Sequence, residues 1–389
     1  MLTQKDLLEI LNDWSFWDGK KPEAFVPRTL RLPKQLVHDI ALIIQGVRRG
    51  GKSTLMTQLP AHYHLNLEHC YFCNFEDPRL LNQLDHTLLS DIVTLAKTRS
   101  GTQPCYFFFD EIQNVADWEK WLHTQLERPK NKYFILTGSN ATLLSGELAT
   151  TLTGRHITLE LFPFCFAEYL QVFPKNDIKD YLSAGGFPKA LFYPEPNKLL
   201  QEYFNDIILR DVLRRVRARS PDSIKQVVKM AFESCGAELS YRKIAAVTDL
   251  SVETVQLYLE ACEQAYLLFT CPYFAFSEKK RLSQHKKFYP IDPGLRAAVT
   301  TKISEDFGKH LEMLVYLRLK QRYENVYYWK NEHSEVDFVV LHQQTITPYQ
   351  VTWDDMKPRH QHALDAFYAA YPQASEFVLI NKHNASEFI

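Results

Sequence analysis

The stretch Gly46-Val47-Arg48-Arg49-Gly50-Gly51-Lys52-Ser53, with Thr54 behind it and the apolar run Ile40 to Ile44 in front, constrains this chain more than any other part of it. An apolar run, a glycine-bracketed loop and a Lys-Ser pair predict strand, tight loop and helix start in that order. Glycines at both ends let the main chain curl around an anion without Cβ clashes, so the N–H groups of Gly46, Arg48, Arg49, Gly50 and Gly51 form a nest. The helix expected over Thr54 to Leu59 points its positive N-terminal end at the same place.

In such a nest Lys52 neutralises the β and γ phosphates as a point charge, and Ser53 offers its hydroxyl to Mg²⁺. This is the Walker A pattern, and it predicts ATP and Mg²⁺ as ligands. A second signal is Cys105-Tyr106-Phe107-Phe108-Phe109-Asp110-Glu111, an aromatic run ending in two acids. A buried central strand would bring Asp110 beside the loop to hold Mg²⁺, and leave Glu111 to orient or deprotonate the attacking water. Gln113, one turn on, reads either as a polar contact to the site or as an ordinary helix-start residue.

Three further groups carry alternatives. The run Tyr133 to Leu136 ends in Thr137-Gly138-Ser139-Asn140, where a hydroxyl or amide at the strand tip, Ser139 foremost, can reach the γ-phosphate or the lytic water, although turn formation explains the same residues. Arg155, in Thr153-Gly154-Arg155-His156, is the best cation to stabilise the transferring phosphoryl group, from its own chain or a neighbouring subunit; a plain surface arginine is the alternative. After a strand at about Cys70 to Phe75, Glu76 and Asp77 are either rim acids near the ligand or part of a turn closed by Pro78.

The elements Gly46 to Ser53, Phe75-Glu76-Asp77, Asp110-Glu111-Ile112-Gln113, Leu136-Thr137-Gly138-Ser139, Gly154-Arg155 and Leu161-Phe162-Pro163-Phe164 together resemble an extended family of bacterial and archaeal AAA-like ATPases. In that family a P-loop domain is fused to a C-terminal domain of unknown function. The resemblance continues through Gly185-Gly186-Phe187-Pro188 and Ile207-Ile208-Leu209-Arg210-Asp211. It implies an ASCE-type α/β P-loop core with a parallel sheet, in which the catalytic glutamate follows the Walker B aspartate.

At 389 residues the chain is long enough for two or three domains. A hydrophobic content of 46% with 23% charged residues is that of a globular protein. No apolar run approaches the ~20 residues that span a bilayer, and Met1 to Asp6 lacks a signal core, so a cytoplasmic protein is expected. A formal net charge of -1 argues against a wholesale nucleic-acid binder. Seven cysteines without regular spacing suit reduced thiols. In the one Cys-x-x-Cys, odd separation along a strand sends Cys70 and Cys73 to opposite faces, as structural packing does.

The expected domains are a lead-in over 1–37, the P-loop domain over 38–162, a helical lid or connector over 163–223, a winged-helix-like domain over 224–290 and a small α/β domain over 291–389. In the lid, Arg210, Arg214 and Arg217 fall on one helical face with Arg215 and Arg219 nearby; five arginines in ten residues could grip phosphates of DNA or RNA, but Asp206 and Asp211 interleave, so a solvated, salt-bridged face is the preferred reading. Helices at Ile224 to Cys235, Tyr241 to Val247 and Val252 to Ala265 resemble a winged helix-turn-helix, with Lys279, Lys280, Arg281, Lys286 and Lys287 in the wing. The third helix carries Glu253, Glu260 and Glu263 and no Lys or Arg, which disfavours major-groove reading.

The tail, with Glu312 on a helix and Asp337 and Gln350 on strands, is similar to a PD-(D/E)xK nuclease core, where two acids and a lysine hold Mg²⁺ and position water. Gln350 stands where the second acid belongs and Thr352 replaces the lysine, so a degenerate, binding or assembly role is expected. The leading function is an ATP-hydrolysing switch coupled to these modules, with DNA or a protein as partner and a homo-oligomer compatible. The alternatives are an ATP-gated metal-dependent DNA nuclease and a slow-turnover signalling scaffold that binds a protein.

Overall fold

The computed structural model describes residues 3–23, 25–128, 131–139, 154–216, 220–301 and 306–389. The chain forms two compact units, Met1–Leu161 and Phe162–Ile389.

The first unit is built on β1 (Ala41–Gln45), β2 (Cys70–Asn74), β3 (Cys105–Asp110), β4 (Lys132–Gly138) and β5 (His156–Glu160). They pair in parallel in the order β2-β3-β4-β1-β5. A parallel sheet is covered on both faces, so its strands read as unbroken apolar runs, and every residue of β1 is buried. Alternation divides those residues between two cores. Ile43, Tyr71, Cys73, Phe107, Phe109, Phe134 and Leu136 face one side, and Leu42, Ile44, Cys70, Phe72, Phe108 and Ile135 the other. Cys70 and Cys73 thus lie on opposite faces.

Helices α1 (Gln4–Trp14), α3 (His86–Ser100) and α4 (Trp118–Glu127) supply the first core, and α2 (Lys52–His62) the second. Helix α1 begins at Thr3, whose hydroxyl accepts from the Asp6 N–H while Asp6 accepts from the Thr3 N–H. Its apolar stripe, Leu7, Ile10 and Leu11, is buried. Trp17 is 1% exposed and its indole donates to the Cys70 carbonyl over 3.0 Å. The N-terminal segment is therefore packed on β2.

The second unit opens with helices Phe166–Val172, Ile178–Ala184 and Pro196–Asp206, the last running into a π-helical turn, Ile207–Val212, and a short helix Leu213–Val216. Arg210 and Arg214 are exposed on this stretch. Arg215 is half-buried, and burial lowers its pKa against the opposing pull of Asp211. Arg217 and Arg219 lie outside the described residues. Next come α5 (Pro221–Glu233), α6 (Tyr241–Thr248) and α7 (Val252–Gln264), followed by an antiparallel pair, β6 (Leu268–Cys271) and β7 (Lys287–Pro290). The final sheet, order β11-β10-β9-β8, joins β8 (Val326–Lys330), β9 (Glu335–His342) and β10 (Thr345–Val351) antiparallel, with β11 (Val378–Ile380) parallel to β10. It packs beside α8 (Phe307–Arg322).

One assignment is corrected here. Lys287 is not part of an exposed wing: it is the first residue of β7, is 0% exposed and is ion-paired with Glu335. Among the described residues no helix is long and apolar enough to cross a membrane.

Candidate functional site

Strand β1 delivers Gly46 to its carboxyl end, the rim on which open α/β sheets bind ligands. A Cβ on Gly46 would lie 2.0 Å from the Leu161 carbonyl oxygen, so the loop can leave the sheet here only without a side chain. Gly51 caps α2 at φ 101° with no side-chain hydrogen bond to the first turn. The helix therefore starts with its N–H groups uncovered by any cap side chain, as an anion site needs. Lys52, 4% exposed, donates to the carbonyls of Gly46 (3.0 Å) and Val47 (3.2 Å). Arg49 is exposed at φ 67° and Thr54 half-buried. Arg48 is tied to Glu76 over 2.9 Å.

Strand β3 ends where the loop begins. Ser53 Oγ donates to Asp110 Oδ2 over 2.7 Å, and Lys52 Nζ lies 3.7 Å from Glu111 Oε1. Because β3 pairs with β4, the tip of β4 supports both acids: Thr137 Oγ1 donates to Asp110 Oδ1 and accepts from the Glu111 N–H at 3.1 Å. Glu111 adopts φ 55°, ψ 49°. A left-handed conformation costs a non-glycine residue on the order of 1–3 kcal/mol and is retained where the surroundings dictate it. Its carboxylate accepts from Gln113 Nε2, which also lies 3.5 Å from Ser139 Oγ.

The electrostatics separate the two acids. Burial, then the neighbouring Glu111, pushes Asp110 above the usual carboxylate range. Burial acts on Glu111 in the same direction, but Lys52 and Arg48 outweigh it and hold the group below its ordinary value. Magnesium and a triphosphate suit this set: a buried ammonium and uncapped helix N–H groups for phosphate, and a hydroxyl and a carboxylate oxygen already side by side for a hard cation.

The other sequence-predicted residues divide. Ser139 is buried at this rim, whereas Asn140 lies outside the described residues. Arg155 is at the other end of the sheet: it precedes β5, whose His156 registers with Ala41 at the start of β1, and its guanidinium is 4.0 Å from Glu127. It does not meet Lys52 within the chain. Asp77 accepts from the Arg79 N–H and pairs with the Arg79 side chain, which holds it down at about 2. Thr137, one of the strand-tip hydroxyls, holds the two acids rather than reaching beyond them. Arg28, which donates to the Gly50 carbonyl over 3.1 Å, also belongs to the rim and has no local signal in the sequence.

In the second unit a cavity of about 750 Å³ is lined by Glu312, Asp337, Gln350 and Thr352. Its acids are already engaged. Glu312 accepts from Tyr289 (2.8 Å) and Lys309 (2.8 Å) and lies 3.8 Å from the buried Lys287 ammonium. Asp337 accepts from Gln350 Nε2 (2.5 Å) and the Val351 N–H (2.7 Å). Four proton donors, one of them the Lys309 ammonium, and the buried Lys287 ammonium around the acids do not fit a divalent cation, and among the described residues no group of three His, Cys, Asp or Glu could hold a metal.

Comparison with known proteins agrees with the first unit and leaves the second undefined. The AAA domain family matches residues 38–170, and two families described as domains of unknown function, DUF8612 and DUF4143, match 175–306 and 307–388. The uncharacterized protein MJ1544 of Methanocaldococcus jannaschii is 32% identical over 335 residues, 79% of this chain and 73% of that protein. An uncharacterized protein of Haemophilus influenzae is 29% identical over 83% of this chain and 85% of its own length. Among solved structures, the replication initiator DnaA bound to AMPPCP and single-stranded DNA matches with TM-score 0.29 and 15% identity, over 58% of this chain and 82% of that one. A DNA polymerase III gamma subunit-related protein of Thermotoga maritima matches with TM-score 0.28 and 11% identity, over 73% and 81%. The chain belongs to the same family as the Methanocaldococcus protein, and carries an AAA-type P-loop ATPase domain followed by two domains of unknown function.

Proposed function

We propose that this protein binds ATP with Mg²⁺ and hydrolyses it, and that nucleotide state switches the binding behaviour of the modules in residues 162–389. One observation carries the reading: the loop of β1 and the acids of β3 meet through Ser53–Asp110 and Lys52–Glu111. Magnesium would supply charge neutralisation between the phosphates, held by Ser53 and Asp110. Lys52 binds phosphate and trades its carbonyl contacts for it. Glu111 accepts the proton of the attacking water, and Thr137 fixes the main chain on which Glu111 stands. Lys52→Ala should abolish nucleotide binding, and Glu111→Gln should keep binding while slowing phosphate release on the order of 10²-fold or more. Lys52→Ala with unchanged ATP affinity would refute the assignment.

Arg155, at the far end of β5, supports a contribution from a neighbouring copy rather than from its own chain. Between DNA and a protein partner, the exposed face of α7, Glu253, Gln256, Leu257 and Glu260, favours protein. Of the basic run, Arg281 is bound to Glu278 and Tyr327 and Lys287 is buried, which leaves Lys279, Lys280 and Lys286 exposed for any phosphate contact. The nuclease reading is disfavoured by the same donors that engage Glu312 and Asp337. Identical DNA traces with and without Asp337→Ala in Mg²⁺ or Mn²⁺ are expected, and cleavage lost in the variant would revive it. Seven cysteine thiols, none in a disulfide, accord with a cytoplasmic setting.

A further inference from the structure

Gln113 sits in the rim with half of its amide committed. Its Nε2 donates to Glu111 Oε2 and lies near Ser139, which sets the orientation of the group: turned over, Oε1 would face a carboxylate oxygen. The other end is buried, and Oε1 accepts from no donor among the described residues. A buried acceptor left so is unfavourable unless something donates to it. It stands beside the carboxylate of the proposed base, on a 3₁₀ turn, Ile112–Asn114, that follows directly from the left-handed Glu111.

We infer that Gln113 is a positioning residue for the attacking water, a role that rests on the ATPase reading above. Its Nε2 locks the Glu111 carboxylate beside its own Oε1, so that two acceptors are presented together. A water donating one proton to each has its two lone pairs on the side away from both, and one of them attacks the phosphorus. In the step, the water oxygen bonds to the γ-phosphorus, the bond from that phosphorus to the β–γ bridging oxygen breaks with its electron pair leaving on ADP, and the water proton passes to Glu111. Gln113 neither gains nor loses a proton.

Gln113→Met keeps the length and removes both amide atoms. The expected result is a fall in kcat on the order of 10²-fold, as for a misplaced nucleophile, with ATP affinity measured by fluorescent-nucleotide displacement within about twofold of wild type. Binding of ADP with aluminium fluoride, which mimics the transferring phosphoryl group, should weaken by tens of fold, since the residue acts only there. Gln113→Ala provides the same comparison should the Met variant unfold. An unchanged kcat overturns the proposal, and so does a parallel loss of kcat and ATP affinity, the mark of a merely structural residue. A wild-type chain that binds ATP without ever turning it over sinks the ATPase reading and this role with it, whereas a hydrolysing wild type matched by Gln113→Met sinks this role alone.

Discussion

Replacing Lys287 with Met removes an ammonium that is 0% exposed from between Glu312 and Glu335 while keeping most of the side-chain volume. Among the described residues, Glu312, 6% exposed, then retains Tyr289 and Lys309 as donors. Stripping the partner from a buried charge costs about 3–5 kcal/mol, and Lys309 remaining beside Glu312 trims this to roughly 2–4 kcal/mol, a large part of a domain's ~5–15 kcal/mol. Glu335→Gln should cost less than about 1 kcal/mol, because that side chain is 41% exposed and its charge is solvated. Burial alone would pull the lysine down, but Glu312, Glu335 and Asp337 outweigh it and raise its pKa. A base raised in the fold keeps its contribution below its unfolded value near ~10.4 and loses it only above, so the deficit should persist at pH 9. Hydrogen exchange read by mass spectrometry on peptides covering Leu268–Pro290 and Phe307–Arg322 across a urea series measures the second unit by itself, where a global transition would mix the two. Removing both charges in Lys287→Met/Glu312→Gln should recover part of the loss. A single variant within ~0.5 kcal/mol of wild type, or a double variant worse than the single, would refute the view that this ammonium neutralises the acid cluster.

Other outcomes follow from single contacts. Gly46→Ala, which forces a Cβ to within 2.0 Å of the Leu161 carbonyl, should abolish nucleotide binding or unfold the first unit, as fluorescent-nucleotide titration with circular dichroism will report. His310 is held down to about 4 by burial and the charge of Arg296, against the opposing pull of Asp306. The unfolded chain therefore takes the proton first, and the second unit should lose about 2 kcal/mol between pH 7 and pH 5 that His310→Gln does not lose, in paired urea titrations. Arg155→Ala should leave turnover unchanged at dilutions where the protein is monomeric and lower it where sedimentation shows oligomers; equal loss at both would refute a role between copies.

The sheet was legible in the sequence because a parallel sheet hides both faces, so Ala41 to Ile44 and Cys105 to Phe109 are continuous apolar runs. The rim was legible because phosphate binding needs glycines at set spacings and acids at a strand end. What stayed hidden depends on partners far away in the chain. Lys287 follows Lys286 in a basic run and looks like any solvated lysine until Glu312 and Glu335 close around it. Arg28 carries no local pattern, and its contact with Gly50 spans a loop no propensity describes. Arg155 was placed by motif near the chemistry, yet strand direction puts it at the opposite end of β5.

The segment ahead of β1 bears on how the protein can be cut. Leu7, Ile10, Leu11 and Trp17 belong to the same apolar cluster as Tyr71 and Phe107, and the Trp17 indole meets the main chain of β2. A fragment trimmed to start at residue 38, where the AAA match begins, would lay the outer flank of β2 open to water and to neighbouring molecules. Shortened versions intended for biochemistry should therefore retain the first helix and Trp17 beyond it, since precipitation of a trimmed core would report a missing cover rather than a faulty ATPase.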